Sequence, residues 1–164
     1  LAEVYQAIIF SPEFIDPAYR GAKFKTPLEY VVSALRATDA QITDTQGIHG
    51  YLSRMGMPIY GMIDPTGYYD QAEAWLDPGV FVYRWEFALA LAQGRVRGVS
   101  MSSGSSLHHL TGSADEKLLQ IHGFLLPAQL HERTRAALLQ AANRNDAGKQ
   151  LLGLALGCPE FQRQ

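Results

Sequence analysis

"DPGVFVYRWEFALALAQG", residues 77–94, decides the fold. Asp77 can cap a helix, Pro78 suits its first turn and Gly94 suits its end. Between them Val80, Phe81, Trp85, Phe87, Ala88 and Leu91 fall on almost every side of a 3.6-residue repeat. A helix that is apolar all round is normally wrapped by others, so 78–93 is expected at the centre of the molecule. Arg84 breaks the pattern. Its neighbours one turn away are Val80, Phe81, Phe87 and Ala88, so its guanidinium emerges from apolar surface. An unpaired charge there would cost several kcal/mol, roughly. The nearest acids in sequence are Asp70, Glu73 and Asp77, and a salt bridge to one of them is expected.

Working outward, the flanking chain also carries helix punctuation. "TPLE" at 26–29 is a capping box with Pro27 in the first turn, followed by Leu28, Val31, Val32 and Leu35 on one face. Ile48, Tyr51, Leu52 and Met55 form a second stripe that Gly56 ends. "SADE" at 113–116 opens a helix near 114–124, and two more are expected near 131–143 and 146–156. No segment keeps the alternation of a strand. The class is therefore all-α: an irregular multi-helix bundle in one domain, 1–164, with 97–112 ("RGVSMSSGSSLHHLTG") as a flexible loop. "MPIYGMIDPTGYY" at 57–69 holds too many prolines and glycines for a regular element and reads as a long ordered aromatic loop. "DQAE" at 70–73 follows it as a further capping box.

Nearly the same four residues recur at both ends, "SPEF" at 11–14 and "CPEF" at 158–161. Val4, Tyr5, Ile8 and Ile9 precede the first as Leu151, Leu152, Ala155 and Leu156 precede the second. Both read as helix boundaries, a stop and a one-turn restart, since proline cannot continue the helix before it but suits the start of the next. Phe14 is expected to fold back onto apolar surface.

Bulk composition excludes several classes. Apolar residues make up 47% and charged residues 18%, enough for a real core, and a net charge of −2 gives no footprint for nucleic acid. No apolar run reaches the ~18 residues of a membrane span. One cysteine, Cys158, excludes an internal disulfide. Leu1–Phe10 already reads as a helix in progress, so the chain is expected to be a C-terminal fragment of a larger protein, with the missing N-terminal part as its partner.

These motifs resemble a bacterial family, the domain-of-unknown-function-1800 proteins. The likeness rests on "SPEF" with "RGAKFKTPLEYVVSALRA" at 20–37, "MGMPIYG" at 55–61, "GYYDQAEAWLDP" at 67–78, "RWEFALAL" at 84–91 and the closing "CPEFQRQ". It implies the C-terminal part of a large, mostly helical protein, often exported, of unestablished role; a periplasmic or extracellular location follows from the resemblance alone. Cys158 stands where the family pattern has Ser, which speaks against catalysis at Ser11 or Cys158. Tyr69 stands where it has Pro.

The candidate chemistry is thin. Cys158 fits inert packing. His108 and His109 are adjacent in a loop and make a poor chelate, His122 and His131 lie nine residues apart near helix ends where positive charge suits the dipole, and His49 has no carboxylate partner at helical spacing, so no triad is assigned. "SSGSS" lacks the lysine of a phosphate loop. No catalytic residue, metal site or cofactor is assigned. One local concentration suits a glycan or peptide ligand: Tyr60, Asp64, Tyr68, Tyr69, Asp70, Trp75 and Arg84, with rings to stack on apolar faces and polar groups to orient. The expectation is a non-catalytic structural or ligand-binding module of a larger exported protein. The alternative is a hydrolase-like enzyme acting on a glycan or peptide around loop 57–76.

Overall fold

A computed structural model describes residues 1–102, 107, 109–126, 129–144 and 147–164, without the side chains of Phe124 and Ala147. The described residues form a mostly helical bundle: α1 (Ala2–Ile9), α2 (Pro12–Ile15), α3 (Pro27–Ala37), α4 (Gln46–Arg54), α5 (Pro78–Ala92), α6 (Ala114–Leu125), α7 (Glu132–Ala142) and α8 (Ala147–Gly157). The local codes hold. Thr26 with Glu29 and Ser113 with Glu116 close reciprocal capping boxes, and Asp77 Oδ1 accepts from the amides of Gly79 and Val80 at 2.7 and 3.2 Å. Gly56 and Gly94 follow α4 and α5 with φ of +83° and +67°, the left-handed region where glycine carries no Cβ penalty.

Helix α5 is central, and its most extensive partner is α8. Phe87, Ala88, Leu91 and Ala92 are buried, as are Leu151, Leu152, Ala155 and Leu156 opposite. Two glycines of α8 permit the approach. A Cβ at Gly157 would lie 2.9 Å from the Trp85 ring, and one at Gly153 would lie 2.9 Å from the Leu89 side chain. Contrary to the all-round pattern, Val82, Trp85 and Glu86 are partly open to solvent, with Trp85 lying against Gly157 of α8 and Glu86 paired with Arg54 of α4.

Three expectations are corrected. A small antiparallel sheet exists: β1 (Ala40–Ile42) pairs with β2 (Val99–Met101), Gln41 opposite Ser100. Strands of three residues are too short for alternation to reveal. The amide of Thr43 donates to the Gly98 carbonyl at 2.8 Å, and Gly98 sits at φ +71° where a Cβ would be 2.2 Å from the Asp44 carbonyl oxygen. Residues 99–101 of the expected flexible loop are thus strand, while 103–106 and 108 lie outside the described residues. "DQAE" forms no capping box. It yields a 3-10 turn, Ala72–Ala74, without a side-chain cap, because Asp70 pairs with Lys23 at 2.8 Å. Phe14, finally, does not fold back; α1 and α2 bury no residue at all.

The first 20 residues therefore form an arm that leads into a clasp. Lys25 N–H donates to Gln162 O at 2.8 Å, and Lys23 and Gln164 exchange backbone bonds of 3.1 and 2.9 Å. The chain end is thereby tied to the segment just after the arm.

Candidate functional site

The clasp encloses the most unusual polar group of the molecule. Arg84 stands two turns into α5 and is completely buried. Its Nη1 donates to Gln162 Oε1 and its Nη2 to the Lys25 carbonyl, each at 2.8 Å. The guanidinium lies 4.7 Å from the Phe24 ring centre and 5.1 Å from that of Tyr30, within cation–π range. Its Nε has no hydrogen-bond partner. Burial lowers its pKa to about 10. The expected carboxylate is absent: among the described residues Arg84 forms no salt bridge, since Asp70 is held by Lys23, Asp77 caps α5 and Glu73 is exposed. Carbonyl and amide oxygens with aromatic faces solvate the charge instead.

Lys25 is a second buried cation. Its Nζ donates to the Phe161 carbonyl at 2.8 Å and sits 4.1 Å from the Phe161 ring centre. Burial pulls its pKa down to about 8. Phe161 meets Tyr30 edge-on at 6.0 Å. Cys158 is buried nearby, and burial pushes its thiol up to about 12, so it is not a thiolate at neutral pH. At the rim, burial acts to raise the Glu29 pKa, but bonds from Lys23, Thr26 and Gln164 outweigh it and hold the carboxyl at about 2.

The loop residues proposed for a ligand divide into two sets. Tyr68 is half-buried and its hydroxyl donates to the Pro58 carbonyl at 2.6 Å. Trp75 is buried, donates Nε1–H to the Tyr69 carbonyl at 2.9 Å and lies 6.2 Å from the Tyr68 ring. These contacts pin the loop on itself. Tyr60 is fully exposed at φ +54°, and Asp64, Asp70 and the Tyr69 side chain also face solvent. Among the described residues Arg84 bonds to Gln162 and Lys25 in the clasp and to none of these loop residues.

Residues missed in the sequence are Lys25, Phe161 and Gln162. "FQRQ" at 161–164 does not alternate and the three residues of "KFK" at 23–25 are too few to reveal a strand, so no local pattern pairs the two segments. Beside Gln162 an apolar slot of about 240 Å³ is lined by Phe24, Phe81 and Trp85, with Arg163 among its walls. A wider hollow of about 470 Å³ lies between α6 and α7, lined by Leu118, Leu119 and His122. Among the described residues no three His, Cys, Asp or Glu side chains gather as a metal site would require.

The family model described as "Protein of unknown function (DUF1800)" matches residues 1–163. The chain belongs to this family. No curated protein and no solved structure matches it. Among the motif-bearing segments of this DUF1800 chain, "SPEF" lies on the arm, "KFK" and "CPEFQRQ" in the clasp, "MGMPIYG" and most of "GYYDQAEAWLDP" in the stretch joining α4 to α5, and "RWEFALAL" on the central helix. No helix among the described residues is long and apolar enough to cross a membrane.

Proposed function

We propose that this DUF1800 chain is a non-catalytic helical module of a larger exported protein, acting in the periplasm or outside the cell, whose arm packs against the remainder of that protein. One observation carries the reading. Leu1, Val4, Tyr5, Ile8, Ile9, Phe10, Phe14, Ile15 and Tyr19 are all exposed on one short segment, while α3 to α8 share a common core. A contiguous apolar patch of this kind marks an interaction surface. Hydrogen exchange tests it. In the protein as encoded, with whatever polypeptide precedes Leu1, the amides of α1 and α2 should exchange far more slowly than in the 1–164 polypeptide; equal exchange in both defeats the reading. Cell fractionation tests export separately.

A second reading, glycan or peptide recognition on loop 57–76, draws support from the free rings of Tyr60 and Tyr69 beside Asp64. Binding on a glycan array that Tyr60→Ala abolishes without changing the fold would favour it. An array signal unchanged in that variant would exclude the loop.

A further inference from the structure

Lys25 does more than bond Phe161. It also lines a hollow of about 600 Å³ that runs along one face of α3. Glu29 and Arg36 lie two turns apart on that face and both border the hollow, which is therefore about 10 Å long. Val32, Ala37, Leu125 and Phe161 supply its apolar wall. Lys25 is only 7% exposed, yet no carboxylate among the described residues pairs with it, because Glu29 is taken by Lys23 and Gln164. The Phe161 carbonyl accepts from a neutral amine as it does from an ammonium, so that bond survives loss of the proton. Nor does the clasp need the charge, since the Lys25 amide already donates to Gln162. The charged or titratable groups facing the amine are Glu29 on α3, Arg84 on α5 and Cys158 just after α8. Burial is the largest influence and holds the amine at about 8. A desolvated lysine beside another cation is the setting of an amine nucleophile.

We propose that Lys25 is a covalent capture site for a carbonyl compound, an aldehyde or ketone with an apolar body and an anionic group, which forms an imine with Nζ in the hollow along α3. The nitrogen lone pair adds to the carbonyl carbon, the C=O π electrons pass to oxygen, and one proton moves from nitrogen to that oxygen. The carbinolamine so formed loses its hydroxyl and the remaining N–H proton as water. Amine and carbonyl thus give imine and one water, with no oxidant or reductant. The apolar wall holds the body of the ligand. Arg36, exposed and without a carboxylate partner among the described residues, attracts the anionic group at the far end. Lys23, only two residues away, is a built-in control: Asp70 and Glu29 raise its pKa and keep it an ammonium. The proposal goes beyond the module reading and does not depend on it.

The test is reductive trapping on the protein as encoded. It is incubated near neutral pH with para-carboxybenzaldehyde and cyanoborohydride, and adducts at Lys23, Lys25, Lys117 and Lys149 are counted by peptide mass spectrometry. Lowering the pKa from 10.5 to about 8 leaves roughly 300-fold more free amine at Lys25, and even after its weaker basicity and confined approach it should label at least about tenfold faster than the other three. That advantage should shrink as pH rises toward 10.5, where the other lysines lose their protons too. Arg36→Gln should slow the carboxylated probe at Lys25 by about two- to fivefold, the worth of an exposed ion pair, and leave benzaldehyde unchanged. Val32→Trp, which narrows the hollow, should cut labelling by both aryl aldehydes and spare labelling by formaldehyde. Lys25 labelling no faster than its three counterparts, or labelling only as urea unfolds the protein, overturns the proposal. An Lys25 that labels fast but ignores Val32→Trp overturns the hollow as the site, and one that ignores Arg36→Gln overturns the anionic ligand.

Discussion

The stretches Val4–Phe14 and Leu151–Phe161 carry the same apolar spacing and the same Pro-Glu-Phe ending, yet they occupy opposite environments. Val4, Ile8 and Phe14 are 57%, 51% and 61% exposed, whereas Leu151 and Leu156 are 0% and Phe161 is 3% exposed. Local pattern makes both of them helix and turn; it does not choose what covers them. The difference lies at two positions between the shared residues. Gly153 and Gly157 let α8 close on α5, and the corresponding residues are Gln6 of α1 and Phe10 just after it. Bulk at those places would keep α1 from approaching a helix as α8 approaches α5. The arm therefore suits a looser partner, or one with its own small residues.

The largest expected effect tests the contrast directly. Phe161→Ala removes a buried ring between Tyr30 and Lys25 and should cost about 3–5 kcal/mol in urea unfolding of the 1–164 polypeptide. Phe14→Ala should stay within ~0.5 kcal/mol, as an exposed substitution does. Equal costs would mean that the arm belongs to the core in solution, and the contrast would be gone.

Next come the glycines. Gly157→Ala would set a methyl 2.9 Å from the Trp85 ring. Overpacking of this sort costs about 1–3 kcal/mol, because Trp85 or the α5–α8 spacing must give. Gly50 provides the opposite case: it lies inside α4, and a Cβ there would meet nothing within 4 Å. Gly50→Ala should stabilise by about 0.5–1 kcal/mol through helix propensity alone. If the two substitutions shift the urea midpoint in the same direction, close α5–α8 packing is not what separates the two ends.

Much of this was legible where the physics is local. The caps at Ser11, Thr26, Asp77 and Ser113 span two or three residues, and each is found as the residues dictate. The Tyr68–Trp75 pairing was also within reach, since only six residues separate two rings that must hide somewhere. Arg84 shows the limit. Its burial followed from its neighbours on α5, but its partner Gln162 lies 78 residues away and outside any periodicity. Asp70 was misread for the same reason: a local capping pattern lost to Lys23, which the fold brings alongside. Lys25 went unnoticed because a lysine in an exposed-looking turn gives no sign that a distant phenylalanine will cover it.

Lys25 makes the contrast measurable against pH. Burial holds its folded pKa near 8 against an ordinary 10.5. The unfolded chain therefore binds more protons between those values, and stability rises as pH increases through that window. Below about pH 8 both states are protonated and the penalty is present in full. Above pH 9 the buried Cys158 thiol, held at about 12, contributes the opposite slope, so the test lies lower: Lys25→Met should remove the rise in urea midpoint between pH 8 and 9, while arm substitutions such as Phe14→Ala should leave it intact. A slope that survives in Lys25→Met would assign the titration to another group and remove the clasp from the account.

The smallest effect is confined to the arm. Ser11 Oγ accepts the Phe14 amide at 3.3 Å, the cap of a four-residue helix that buries nothing. Ser11→Ala should cost that helix about 0.5–1 kcal/mol, read as a few-fold faster exchange of the Phe14 and Ile15 amides. The cooperative unfolding of the core should not move, because no core contact depends on α2. Two measurements on one variant thus report on two parts of the molecule. A shift in global unfolding would show that the arm folds with the core even though its side chains stand in solvent. An unchanged core with faster arm exchange would place the boundary between them at the clasp, where Lys23 meets Gln164.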